Sequence, residues 1–228
     1  MNRIFAAWLL SGLVFLAIPL GAGAGPLFFK AHGGISSLNP EDVNDGLDRL
    51  NSEAGGPLLD HIGSALDAGL SVGYALTPEL GAGLGYTRLW AGSSFSDQGY
   101  LLEYDLPANL YQAFIDYLPV NGRKIRFGAG ANAGMIQSAA ALRLEDPVVF
   151  IDEEIPFDGN GFLFAGYAIV DAEVAASWSL FSEAGFRHAV IGTVKVDGQA
   201  VLNPDSLDDK LRFNYTGFFL RVGIKFQP

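Results

Sequence analysis

From Leu66 to Leu76 every second residue is apolar: Leu66, Ala68, Leu70, Val72, Tyr74 and Leu76, with Asp67, Gly69, Ser71, Gly73 and Ala75 between them. A two-residue period belongs to an extended chain, whose side chains point alternately to opposite faces. The pattern recurs along the chain. Leu80, Ala82, Leu84 and Tyr86 alternate with Gly81, Gly83, Gly85 and Thr87, and Phe218, Leu220, Val222, Ile224 and Phe226 alternate with Phe219, Arg221, Gly223 and Lys225. Such segments, separated by turn residues, predict an all-β chain. Eight strands are expected near 26–36, 64–76, 80–92, 100–118, 124–144, 161–176, 181–196 and 212–226. In the fourth, the apolar phase changes near Asn109, close to Pro107, and a β-bulge is expected there.

The connections alternate in length. Thr77-Pro78-Glu79, Val120-Asn121-Gly122-Arg123 and Ser177-Trp178-Ser179 are short, whereas roughly 37–63, 93–99, 145–160 and 197–211 are long. Asn-Gly is a strong hairpin signal. Short turns at one end and long loops at the other describe an antiparallel up-and-down transmembrane β-barrel, and an even strand number places both termini on the turn side, in the periplasm. In the first long loop, Asn39 as cap, Pro40 at the first position and acids in the first turn predict a short helix.

A leader fits this compartment. Arg3, an apolar run from Ile4 to Leu20, and Ala22-Gly23-Ala24 read as a signal peptide over 1–24, with the barrel domain over 25–228. Without Arg3 the chain has 13 basic and 25 acidic residues, a net charge of −12, which argues against nucleic-acid binding. There is no cysteine and hence no disulfide framework.

The face alternating with the apolar stripes is rich in glycine and charge. A soluble protein rarely builds its solvent face from glycine, whereas lipid requires a continuous apolar band outside and a closed hydrogen-bond ladder. Lys30, Asp116, Arg126, Asp171, Glu173, Glu183, Arg187, Arg221 and Lys225 lie within about six residues of the turn-side strand ends, or about 20 Å. An eight-stranded barrel is just wide enough for side chains to fill. A lumen charge network of Lys30, Arg126, Asp171, Glu173, Glu183, Arg187 and Arg221 is therefore expected, with Asp116, Glu183 and Lys225 candidates for a wet rim.

With a signal peptide, eight alternating strands, inward charges and a closing strand of Leu220, Val222, Ile224 and Phe226, the chain resembles the small outer-membrane barrels of the OmpA transmembrane-domain and OmpX type. The resemblance implies residence in the outer membrane, contact with its lipid and lipopolysaccharide, and assembly by the insertion machinery. That machinery reads a terminal aromatic residue; here Gln227 and Pro228 follow Phe226.

Members of that group differ in activity. The leading expectation is a structural or surface-interaction protein without catalytic activity or cofactor. The alternatives are a narrow channel or passage for a small hydrophobic ligand, and a lipid-modifying enzyme. Arg187-His188 resembles the strand of outer-membrane lipid A deacylases, but position 190 is Val where those enzymes carry Ser, so the nucleophile is missing. The long loops hold 17 of the 25 acids against Arg49 and Lys210. Asp152, Glu153, Glu154, Asp208 and Asp209 are possible surface contacts for Ca²⁺ or Mg²⁺, although no calcium-loop spacing is present. Nothing in the sequence sets an oligomeric state.

Overall fold

The computed structural model describes residues 26–53, 59–97, 100–119, 124–146, 151–203 and 206–228. The leader and the Asn121-Gly122 turn lie outside them. In chain order the elements are β1 (Leu27–Ser37), α1 (Glu41–Glu53), β2 (Ser64–Ala75), β3 (Leu80–Trp90), β4 (Gly92–Asp97), β5 (Tyr100–Asp105), β6 (Ala108–Tyr117), β7 (Ile125–Asp146), β8 (Ile151–Ala175) and β9 (Trp178–Ile191). Short strands β10 (Val194–Val196), β11 (Gln199–Ala200), β12 (Leu202–Asn203), β13 (Ser206–Lys210) and β14 (Phe213–Asn214) precede the last strand, β15 (Gly217–Phe226).

Eight strands form a closed antiparallel ring in the order β1, β2, β3, β6, β7, β8, β9, β15. The ladder followed around the ring from Leu27 passes Tyr74, Ala82, Ile115, Ala131, Gly166, Phe186 and Phe218. Phe218 adjoins Ser37, whose Oγ accepts from Phe218 N at 2.8 Å. The row therefore returns to β1 ten residues further on, and this stagger sets a strand tilt of about 40°.

The alternation resolves as the sequence predicts. Leu70, Phe127, Phe162, Phe218 and Val222 face outward and are at least 61% exposed, while Lys30, Asp67, Asp116, Asp171, Arg187 and Arg221 face inward and are buried. From Leu80 to Trp90 the outward band of β3 spans about 25 Å along the barrel axis, the height of an outer-membrane hydrocarbon layer. No described helix is long and apolar enough to cross a membrane.

Three expectations are corrected. Position 109 carries no bulge: Asp105 pairs with Ala141 and Ala108 with Ser138, one unbroken register across Leu106-Pro107. Tyr104, Leu106, Ala108, Leu110, Gln112, Phe114 and Asp116 all face inward. The lumen, not the strand, changes character at this height. The segment 145–160 is mainly hairpin rather than loop, because β7 and β8 stay paired as far as Asp146 and Ile151. The 93–99 and 197–211 segments likewise hold small strands; the Asp197-Gly198 turn between β10 and β11 uses positive φ at both residues, the conformation that favours Asp-Gly. Finally, Asn39 does not cap α1 with its side-chain oxygen. Its Nδ2 donates to Glu41 Oε1 at 2.9 Å, and Pro40 O accepts the first helical hydrogen bond, from Asn44 N.

A bilayer-facing band is sensitive to charge. Val222→Arg is expected to lower unfolding stability in phosphatidylcholine vesicles by about 2–4 kcal/mol, read from the urea midpoint. Gln227→Arg, beyond the strand end, is expected to leave it unchanged; an equal loss at both positions contradicts a lipid-facing wall.

Candidate functional site: the lumen

Inward side chains build three levels from the turn side upward. At the lowest, Lys225 Nζ lies 2.7 Å and Arg126 Nη2 3.3 Å from Asp171 Oδ2. Arg126 and Asp171 are direct cross-strand partners. A cavity of about 310 Å³ opens at this end, lined in part by Phe28, Asp116, Arg126 and Lys225.

At the middle level Lys30 Nζ bridges the lumen, 2.6 Å from Asp116 on β6 and 3.2 Å from Glu183 on β9. The Tyr167 hydroxyl donates to the other Asp116 oxygen at 2.7 Å. Above them Arg221 Nε lies 3.3 Å from Asp67, which also accepts from the Ser36 hydroxyl at 2.9 Å. His32 Nε2 shares a 3.3 Å hydrogen bond with Thr87.

Aromatic rings and glycines complete the packing. Lys30 sits about 5 Å from the Phe114 and Phe181 centroids, Lys225 5.5 Å from Phe28 and Arg221 4.4 Å from Phe219. Each of these cations thus has a carboxylate and a ring face, which offset part of its desolvation. The inward glycines make room for the rings. A Cβ at Gly73 would stand 2.6 Å from Phe28 Cζ, and one at Gly223 2.6 Å from Phe181 Cζ.

The uppermost level is apolar. Leu89, Leu106, Leu110, Ile136, Leu163, Ala189 and Ile191 from the barrel join Val43 and Leu47 of α1, with Leu59, Ile62 and Phe213, in one buried cluster. Two asparagines dock α1 to the returning chain. Asn44 Oδ1 accepts from Ile62 N and its Nδ2 donates to Ile62 O; Asn51 makes the same pair of bonds with Leu59. Tyr215 is buried in the cluster, and its hydroxyl donates to Ser138 Oγ at 2.7 Å.

Of the expected charge network, Lys30, Arg126, Asp171, Glu183 and Arg221 make ion pairs in the lumen. Arg187 is inside but pairs with no described carboxylate. It is 1% exposed, its Nε donates to Tyr215 O at 3.1 Å, and both Nη atoms lack a protein partner. Its strand height sets it beside the apolar cluster, above the carboxylates. Glu173 is exposed at the turn-side end rather than in the network. Asp116, Glu183 and Lys225, candidates for a wet rim, are buried and paired, and Asp67 joins them. Asp67 sits too far from the turn-side end for a depth count to include it; its inward parity was the available signal. Glu153 and Glu154 are exposed on the β8 arm, and the side chains of Asp152, Asp208 and Asp209 lie outside the described set. Among the described residues no group of three metal-ligating side chains converges.

On the outer wall His188 is exposed, and its Nδ1 lies 3.2 Å from Thr216 Oγ1. A hydroxyl missing at position 190 is thus supplied from 28 positions further along the chain. Thr216 Oγ1 also accepts from Ala189 N at 3.2 Å, and no described carboxylate orients the imidazole.

No protein-family model and no curated protein sequence matches the chain. Solved structures do. Ail, the attachment invasion locus protein of Yersinia pestis, solved with the heparin analogue sucrose octasulfate, is 10% identical over 90% of this chain and 99% of that one, with a TM-score of 0.50. A major outer membrane protein of Thermus thermophilus is 11% identical over 89% and 99%, also at 0.50. Neisserial surface protein A is 16% identical over 90% and 99%, at 0.48. At these identities the likeness is one of fold: this chain is an eight-stranded antiparallel β-barrel of the architecture found in outer-membrane proteins.

The lumen's ion pairs are unequal, and mutation separates them. Asp67→Leu strands Arg221 and is expected to cost about 3–5 kcal/mol. Arg187→Met breaks no ion pair among the described residues and removes a buried guanidinium, so stability is expected to hold or rise. Urea unfolding of the refolded barrel reads both; a large loss for Arg187→Met would reveal a partner that these contacts do not include.

Proposed function

We propose that the protein is an integral outer-membrane barrel with a structural or surface-interaction role, closed to solutes and without catalytic activity. The observation that carries this reading is the double filling of the lumen. The ion pairs of Lys30, Asp67, Asp116, Asp171, Glu183, Arg221 and Lys225 occupy the lower two levels, and the apolar cluster under α1 occupies the upper one. Loops face the cell exterior and both termini the periplasm, as in barrels with short periplasmic turns.

The second seal alters the expectation for a channel. Neutralising Arg221 loosens only the ionic levels, while Leu110, Ile136 and Leu163 still close the path above. In planar bilayers, wild type and Arg221→Met are both expected to show no steady current. Ohmic, salt-dependent conductance from wild type would overturn the closed barrel and favour the narrow channel.

The exposed part suits recognition of a protein or glycan surface. The paired β7–β8 arm, flanked by β4–β5 and β10–β11, extends the sheet beyond the membrane band. The 17 acidic residues of the loop segments repel polyanions that approach the loops from solution, so a sulfated saccharide of the kind bound to Ail is not the expected ligand of the loops. A basic or neutral surface is. Divalent cations at Glu153 and Glu154 are secondary, since these side chains are solvated and exposed.

Lipid-modifying activity would depend on His188 and Thr216, a dyad with no orienting acid among the described residues. Overexpression is expected to leave the mass spectrum of lipid A unchanged. A new species that disappears with His188→Ala would establish catalysis and displace the structural reading.

A further inference from the structure

Along the membrane-spanning stretches, one Lys, Arg, Asp or Glu among the described residues has outward parity. Arg88 leaves β3 at the loop-side edge of the apolar band, two residues before Trp90 and two after Tyr86. Its Nη1 donates to Asn109 Oδ1 at 2.8 Å, and the Tyr86 hydroxyl donates to the same oxygen at 2.7 Å. Tyr86 in turn packs against Tyr111, ring centroids 5.5 Å apart. One carbonyl therefore fixes the guanidinium and the phenol together.

Arg88 opens a polar row across four adjacent strands. The ladder pairs Arg88 with Asn109, Asn109 with Gln137, and Gln137 with Asn160. Gln137 and Asn160 are exposed. Because the strands tilt, the row climbs roughly 3 Å per strand toward the loops. It leaves the band just where Trp90 and Phe162, 49% and 69% exposed, mark the edge. From end to end it measures about 14 Å, the length of a disaccharide rather than of a single glycerol phosphate.

At the edge of the band a guanidinium sits at headgroup level, where a barrel tolerates charge, and no described carboxylate pairs with Arg88. Its planar fork matches two oxygens of a phosphate. The three amides beside it match sugar hydroxyls, offering donors and acceptors in turn. We propose that this row binds the phosphorylated sugar headgroup of an outer-leaflet glycolipid, with Arg88 on the phosphate and Asn109, Gln137 and Asn160 along the saccharide. The proposal rests on the outward orientation of the loops given above.

The test uses the full chain in phosphatidylcholine vesicles, with and without a minor fraction of bis-phosphorylated lipid A. Thermal unfolding is followed by tryptophan fluorescence and heat-modifiable gel migration. Lipid A is expected to raise the midpoint of wild type. Phosphatidylglycerol of equal charge and soluble inorganic phosphate are expected to raise it much less. Arg88→Gln should lose most of the rise while keeping its midpoint in pure phosphatidylcholine, and Arg88→Lys should recover part of it. Should Arg88→Gln fail to insert, Asn160→Ala at the far end of the row gives the same readout. An equal rise in these variants, or an equal rise with phosphatidylglycerol, overturns the headgroup site alone. A wild-type chain that enters no vesicle overturns the membrane reading and the site with it.

Discussion

The ladder between β1 and β15, from Phe29 opposite Phe226 to Ser36 opposite Phe219, joins the two ends of the sheet. In hydrocarbon an unpaired backbone amide or carbonyl has no water to turn to and costs several kcal/mol, so a spanning sheet with open edges is not available. Closure removes those edges, and the ten-residue stagger at which it occurs determines tilt and width together. The narrow lumen follows from that width. So does the pairing of glycine with aromatic ring, since Gly73 and Gly223 are the positions at which Phe28 and Phe181 can lie against the wall.

Within so small a cross-section, charge and apolar bulk separate by height. Carboxylates and amines occupy the turn-side half, where Lys30 reaches across to Asp116 and Glu183. Aliphatic side chains occupy the loop-side half, where α1 and the returning chain supply the remaining wall. Arg187 lies at the boundary between them, with a backbone carbonyl as its one protein partner among the described residues. The barrel thus has a lower part held by directional contacts and an upper part held by burial, and the extramembrane arm grows from the latter.

The faces were legible in the residue order because strand parity is a local property. Asp67, Gly69, Ser71 and Gly73 lie on one side whatever the rest of the chain does. The change of apolar phase near Asn109 is not a slip of register but a change in lumen chemistry, with Leu106, Ala108 and Leu110 buried on the inward face. The 145–160 segment, expected as a long loop, is instead mainly strand because its pairing with β7 continues to Asp146 and Ile151. His188 lacked a hydroxyl two positions away, and its neighbour Thr216 belongs to the approach to another strand.

By itself, the sequence determined that the chain is β, how its strands alternate, and which residues face lipid, because these depend on a period of two and on the cost of burying charge. Only the tertiary structure decided who meets whom. Lys30 and Lys225 are cross-strand neighbours yet turn to different carboxylates. Arg221 sits opposite Glu183 but pairs with Asp67. Those choices are made across a closed lumen, between side chains up to 154 residues apart, and closure is a property of the whole ring that no single strand contains.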